Sequence, residues 1–144
     1  MEINGIAHIY VTVAKFDQCV AFYRQLLPFM GLTRVVHDDA NTFYCIGGRT
    51  GFGVTRADAE FRTTAYAQGR SGIHHVCFRA RSREDVDAVH ELVRRLGTKI
   101  ERAPQVGKWA PGYYSILFED PEGIRVEVNY IPGKGLLADY LPTG

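Results

Sequence analysis

His8-Ile9-Tyr10-Val11-Thr12-Val13 returns sixty-seven residues later as His75-Val76-Cys77-Phe78-Arg79-Ala80. Each stretch opens with histidine and alternates in polarity. That is the period of a strand with one face on a core. Ile9, Val11 and Val13 match Val76, Phe78 and Ala80, all apolar. His8, Tyr10 and Thr12 match the more polar His75, Cys77 and Arg79. A strand repeated at this distance points to two copies of one structural unit.

The flanking sequence extends the repeat. Phe16, Val20, Tyr23 and Leu27 fall at helical spacing, as do Val86, Val89, Val93 and Leu96. Ser82, three residues before Asp85, predicts a helix start, and Gly97 a helix stop. Three short strands are expected after each helix, over about 32–37, 42–46 and 51–55, then 98–102, 113–118 and 124–129. Gly47-Gly48 and Pro121-Glu122-Gly123 mark the last turn of each half. The order βαβββ, twice over, predicts an α+β fold. In it two modules, 5–56 and 73–130, form a curved mixed β-sheet cleft with helices outside, inside a single domain 1–144. Residues 57–72 read as linker and 131–144 as a tail.

Composition narrows the function. Net charge is +1, which supplies no basic stripe for nucleic acid. No apolar run approaches the roughly 20 residues of a membrane span, and the N-terminus lacks a signal peptide's pattern. Three cysteines cannot all pair within one chain, so a reduced, cytoplasmic protein is expected.

Alternation carries the site argument. Ile124, Val126 and Val128 share an apolar face, and Arg125, Glu127 and Asn129 share the other. His8, His75 and Glu127 therefore all lie opposite the core-facing residues of their strands. Two imidazoles and a carboxylate suit one divalent metal ion (Fe, Mn, Ni, Zn or Co) with positions left open for water and substrate. Aligning the halves at Gly51 and Gly123, an offset of seventy-two, puts Thr55 in the place of Glu127.

His8-Ile-Tyr-Val-Thr-Val, then Ala21-Phe22-Tyr23, His75-Val-Cys-Phe and Asp120-Pro-Glu-Gly-Ile-Arg-Val-Glu127 together resemble the vicinal oxygen chelate superfamily. That group includes glyoxalase I, extradiol dioxygenases and bleomycin-binding proteins. The resemblance spans residues from about 5 to about 130, and its most specific element is Asp-Pro-x-Gly-x-x-x-Glu. It implies that His8, His75 and Glu127 are metal ligands. It implies a metal-dependent, glyoxalase-like isomerase or lyase acting on a small molecule with adjacent oxygens. A non-haem Fe(II) extradiol-type dioxygenase and a non-catalytic antibiotic-binding resistance protein are the alternatives. It also implies a homodimer, to which Leu136, Leu137, Tyr140 and Leu141 of the tail would add apolar contact.

The departures bear on the reaction. Glyoxalase I has Glu or Gln at the position aligned with Thr55, and the extradiol pattern has Tyr where Leu117 stands. Leu27-Pro28-Phe29-Met30-Gly31-Leu32 reads as a short insertion after the first helix. Thr55, Arg79, Lys108 and Trp109 are candidate substrate contacts. One of Tyr113 and Tyr114 is a candidate proton donor, because alternation lets only one face the site. The loop 103–113 is a candidate lid, and His74 is expected on the core-facing side.

Overall fold

The structure, a computed structural model, describes residues 1–3 and 5–133. The chain divides into two compact units, Met1–Ala67 and Gln68–Gly144. The first holds β1 (His8–Val13), α1 (Phe16–Phe29), β2 (Arg34–Asp38), β3 (Thr42–Gly47) and β4 (Thr50–Arg56). The second holds β5 (Val76–Arg79), α2 (Arg83–Arg95), β6 (Ile100–Val106), β7 (Tyr114–Glu119) and β8 (Arg125–Tyr130). Residues 57–72, expected as linker, include a short 3-10 turn at Ala59–Phe61.

Each unit is a four-stranded mixed sheet with one helix, so the expected α+β order βαβββ is present twice. The strand orders are β1-β4-β3-β2 and β5-β8-β7-β6. The first strand of each sheet pairs in parallel with the last, and the remaining pairs are antiparallel.

Periodicity explains which face the helices cover. Phe16, Val20, Tyr23 and Leu27 are all buried on α1. The Tyr23 ring meets Phe52 of β4 at 4.7 Å. Val11, Val13, Phe43, Cys45, Phe52 and Val54 complete that core. In the second unit Val86, Val89, Leu92 and Val93 of α2 are buried, with Ile116, Phe118, Ile124, Val126 and Val128 of the sheet core. Each such side chain contributes about 1.5–3 kcal/mol through burial. Ser82 caps α2, its Oγ accepting from the Asp85 amide at 3.1 Å.

Both helices end in the same way. The Gly31 amide donates to the Pro28 carbonyl and the Leu32 amide to the Leu27 carbonyl. The Gly97 amide donates to Arg94 and the Thr98 amide to Val93. Gly31 and Gly97 have φ of 91° and 70°, which glycine adopts without strain. The residues expected as an insertion are thus the last turn of α1, which runs through Phe29, and its glycine stop.

β6 runs to Val106, four residues past its expected end, with irregular register against β7. The excess in the second half is therefore partly bulged strand, and only 107–113 is loop. The tail residues Leu136, Leu137, Tyr140 and Leu141 lie outside the described residues. Among the described residues no helix is long and apolar enough to cross a membrane.

Candidate functional site

The element Asp120-Pro-Glu-Gly builds the turn before β8. Asp120 is buried, and its Oδ1 accepts from the backbone amides of Glu122, Gly123 and Ile124 at 2.9–3.0 Å. That turn sets the register in which Glu127 stands opposite Leu117 on β7 and Cys77 on β5. Alternation then puts Glu127 on the face turned away from α2, with Asn129 and Ser115.

Glu127 is 7% exposed and well partnered. Its Oε1 accepts from the Tyr113 hydroxyl at 2.7 Å and from Arg102 Nη2 at 3.3 Å. Asn129 Nδ2 donates to the Tyr113 oxygen at 3.0 Å. Because Tyr113 accepts there, its own proton is committed to Glu127. Burial pushes the Tyr113 hydroxyl up to about 12, against the pull of Asn129 and with help from the Glu127 charge. Arg102 Nη2 also donates to Ser115 Oγ at 3.0 Å, and the guanidinium lies 5.3 Å from the Trp109 ring centre. Trp109 packs at 5.1 Å on Tyr113. A side chain at Gly107 would occupy the space of those two rings.

The second carboxylate oxygen faces a histidine. His75 Nε2 is 3.5 Å from Glu127 Oε2, long for a direct hydrogen bond. His74 Nδ1 and His75 Nδ1 are 2.8 Å apart. When His75 donates in that bond, its Nε2 keeps a lone pair aimed at the carboxylate. Two electron-pair donors then face each other across a gap suited to a cation about 2.0–2.2 Å from each. The pair fits a divalent metal, although Arg102 already offsets part of the Glu127 charge. Among the described residues no group of three His, Cys, Asp or Glu side chains is gathered around a point that could hold a metal ion.

His8 belongs to the first unit, on the sheet face turned away from α1. Its ring stands edge-on to Tyr10 at 5.6 Å and to Tyr44 at 6.1 Å. Tyr10 and Tyr44 stack at 5.0 Å. Sequence reasoning passed over both tyrosines, although alternation on β1 and β3 puts them on the His8 face.

Strand pairing corrects the alignment of the halves. Cys77, two residues after His75, pairs with Glu127, whereas Tyr10, two residues after His8, pairs with Gly53. Gly53, not Thr55, therefore corresponds to Glu127. Thr55 corresponds to Asn129 and stands in a row with Thr12 and Thr42. The longer turn accounts for the slip, since residues 120–124 separate β7 from β8 where 48–49 separate β3 from β4.

Other candidates fall elsewhere. Tyr114 is turned toward α2, its hydroxyl donating to Asp87 at 2.8 Å and its ring 5.1 Å from Arg83. Of the two tyrosines, it is Tyr113 that reaches Glu127. Arg79 Nη2 donates to the carbonyls of Ile131 and Gly133 at 3.3 Å, tying down the chain after β8. Lys108 is exposed in the 107–113 loop. His74 is exposed rather than core-facing, because β5 starts only at Val76 and strand alternation does not reach it. The missed residues Arg102 and Asn129 had a signal only in the case of Asn129, which shares the Glu127 face by alternation.

Residues 5–128 match the family model for the Glyoxalase/Bleomycin resistance protein/Dioxygenase superfamily. Among solved structures, a Bacillus halodurans protein described as a candidate glyoxalase is 26% identical, with TM-score 0.79, covering 89% of this chain and 96% of its own. A lactoylglutathione lyase from Agrobacterium tumefaciens is 24% identical, with TM-score 0.65 over 90% and 96% of the two chains, a likeness of fold. The uncharacterized protein YqjT of Bacillus subtilis is 31% identical over 78 residues, 52% of this chain and 59% of its own length. The match thus spans well under two thirds of that relative. With the family model covering most of the sequence and the fold agreeing, the chain belongs to the Glyoxalase/Bleomycin resistance protein/Dioxygenase superfamily.

Proposed function

We propose that this chain is a metal-dependent enzyme of the glyoxalase-like isomerase and lyase kind, acting on a small molecule with two adjacent oxygens. The observation that carries the proposal is the facing pair His75 Nε2 and Glu127 Oε2, 3.5 Å apart. In this reading one divalent ion (Fe, Mn, Ni, Zn or Co) is held by His75 and Glu127. Such an ion, when bound, polarises the substrate oxygens and stabilises negative charge developing on them.

The chain's own groups do the rest. Tyr113 is a positioning residue: it holds Oε1 of Glu127 and leaves Oε2 toward His75. Its raised hydroxyl keeps its proton at neutral pH, so it acts as a hydrogen-bond donor. Arg102 lowers the negative charge that Glu127 offers, which weakens cation binding but leaves a bound cation's charge less neutralised. The first half has glycine, not a carboxylate, where Glu127 stands in the second. It therefore supplies no base there, and the hemithioacetal of methylglyoxal and glutathione is expected to turn over weakly or not at all. The homodimer and the cytoplasmic setting belong to the same proposal.

The test is deuterium uptake at the carbon beside the carbonyl of a small hydroxyketone, followed by NMR in D2O. Metal-dependent uptake that disappears in His75→Ala is expected. No uptake above the uncatalysed rate with any of the five metals would refute the enzymatic reading. The Arg102–Glu127 ion pair favours one second reading, a metal-free binding protein in which arginine is the internal counterion.

A further inference from the structure

The first unit carries a surface that the metal reading leaves unused. Tyr10 and Tyr44 stack at 5.0 Å with 26° between their planes, on the sheet face turned away from α1. They face the two glycines of β4. A Cβ at Gly53 would lie 2.3 Å from the Tyr10 ring, and one at Gly51 would lie 2.3 Å from the Tyr44 hydroxyl. The glycines therefore give the rings their room, at the cost of β-propensity in a central strand. The pair is not sealed off, since Tyr10 remains 46% exposed.

Charge narrows what such a surface takes. Across β1, β4 and β3 this face presents His8, Tyr10, Thr12, Gly51, Gly53, Thr55, with Thr42, Tyr44 and Ile46 alongside. None is a carboxylate, ammonium or guanidinium. Arg34 and His37 come in only on the edge strand β2, and His37 is paired with Asp39. A ligand with several charges, such as a glutathione conjugate, would leave its carboxylates without partners on these three strands. A flat, uncharged ring can stack on the exposed tyrosine, and the neighbouring His8 and the threonine row can take its oxygens.

We propose that the Tyr10–Tyr44 pair is a stacking platform for an uncharged aromatic ring of a small ligand. The ligand it names is an uncharged aromatic compound whose oxygens are taken by His8 and the threonine row of the same sheet.

The probes are hydroxymethyl phenyl ketone and its saturated counterpart, hydroxymethyl cyclohexyl ketone, titrated into the full chain by NMR. The wild type should bind the phenyl compound about tenfold more tightly, as expected of a stacked ring. In Tyr10→Leu and Tyr44→Leu the preference should fall below about twofold, whereas Tyr10→Phe should keep it. His75→Ala should keep the ratio of the two affinities, so failure of the metal reading is separable from failure of the platform. Equal binding of the two ketones would overturn the proposal. So would a preference that survives in both leucine variants, or no detectable binding of either compound. Affinity that falls as protein concentration rises would assign the face to a second copy of the chain and overturn it too.

Discussion

In the row of residues just beyond the leading histidine, the first sheet reads Tyr10, Gly53, Tyr44, and the second reads Cys77, Glu127, Leu117. The next row is Thr12, Thr55, Thr42 in one and Arg79, Asn129, Ser115 in the other. The faces toward the helices are alike, both filled largely by Val and Phe side chains. The faces away from them have taken different chemistry, uncharged rings over glycine in one and a carboxylate held by Tyr, Arg and Asn in the other. Alternation is the reason both are possible. Packing constrains every second residue and leaves the others free for function.

The largest effect is expected from emptying the second face. Glu127→Leu leaves Arg102 and Tyr113 without their carboxylate, and urea unfolding should report a loss of roughly 2–3 kcal/mol. A change within about 0.5 kcal/mol, the range of ordinary surface substitutions, would mean the network adds little. Tyr113→Phe removes the hydroxyl shared by Glu127 and Asn129. It should cost about 1–2 kcal/mol by the same measurement.

On the first face, Gly53→Ala forces a methyl group into the space of the Tyr10 ring. The ring can swing outward, so the loss should be about 1 kcal/mol. The NMR contacts between Tyr10 and Tyr44 should disappear. If they persist, the glycine is not what accommodates the stack.

The smallest effect concerns the turn between β2 and β3. The amide of Asn41, then His37 and the amide of Thr42, hold the exposed Asp39 carboxyl down at about 2. A lowered carboxyl stabilises the fold above its ordinary range, and that contribution fades as pH falls toward about 2. Asp39→Asn should therefore lower Tm slightly near neutral pH and have no effect at about pH 2. An equal loss at both would assign the effect to the turn's hydrogen bonds alone.

Periodicity made the fold legible. The paired strand openings, the helical spacing of Phe16, Val20, Tyr23 and Leu27, and the Ser82 cap are local signals, and local structure obeys them. The face of Glu127 was equally legible, because it needs only a period of two. The partner of Thr55 was not. Register across a sheet depends on the length of the hairpin turns, and Asp120 lengthens one of them by binding three backbone amides. Arg102 was missed because it reaches Glu127 from a bulged part of β6, where counting residues no longer reports facing. Tyr10 and Tyr44 carry no signal of their own in the sequence, since only the glycines beneath them give the pair its meaning.

Direct titration of metal-stripped protein tests whether His75 and Glu127 bind a metal ion together. Calorimetry with Mn(II), Zn(II) and Ni(II) should give one ion per chain for at least one of them. Affinity should fall by tenfold or more in both His75→Ala and Glu127→Gln, and by about 10–100-fold in Tyr113→Phe, which only positions the carboxylate. Binding that is the same in wild type and His75→Ala, or no binding of any of the three ions, would rule out the metal pair.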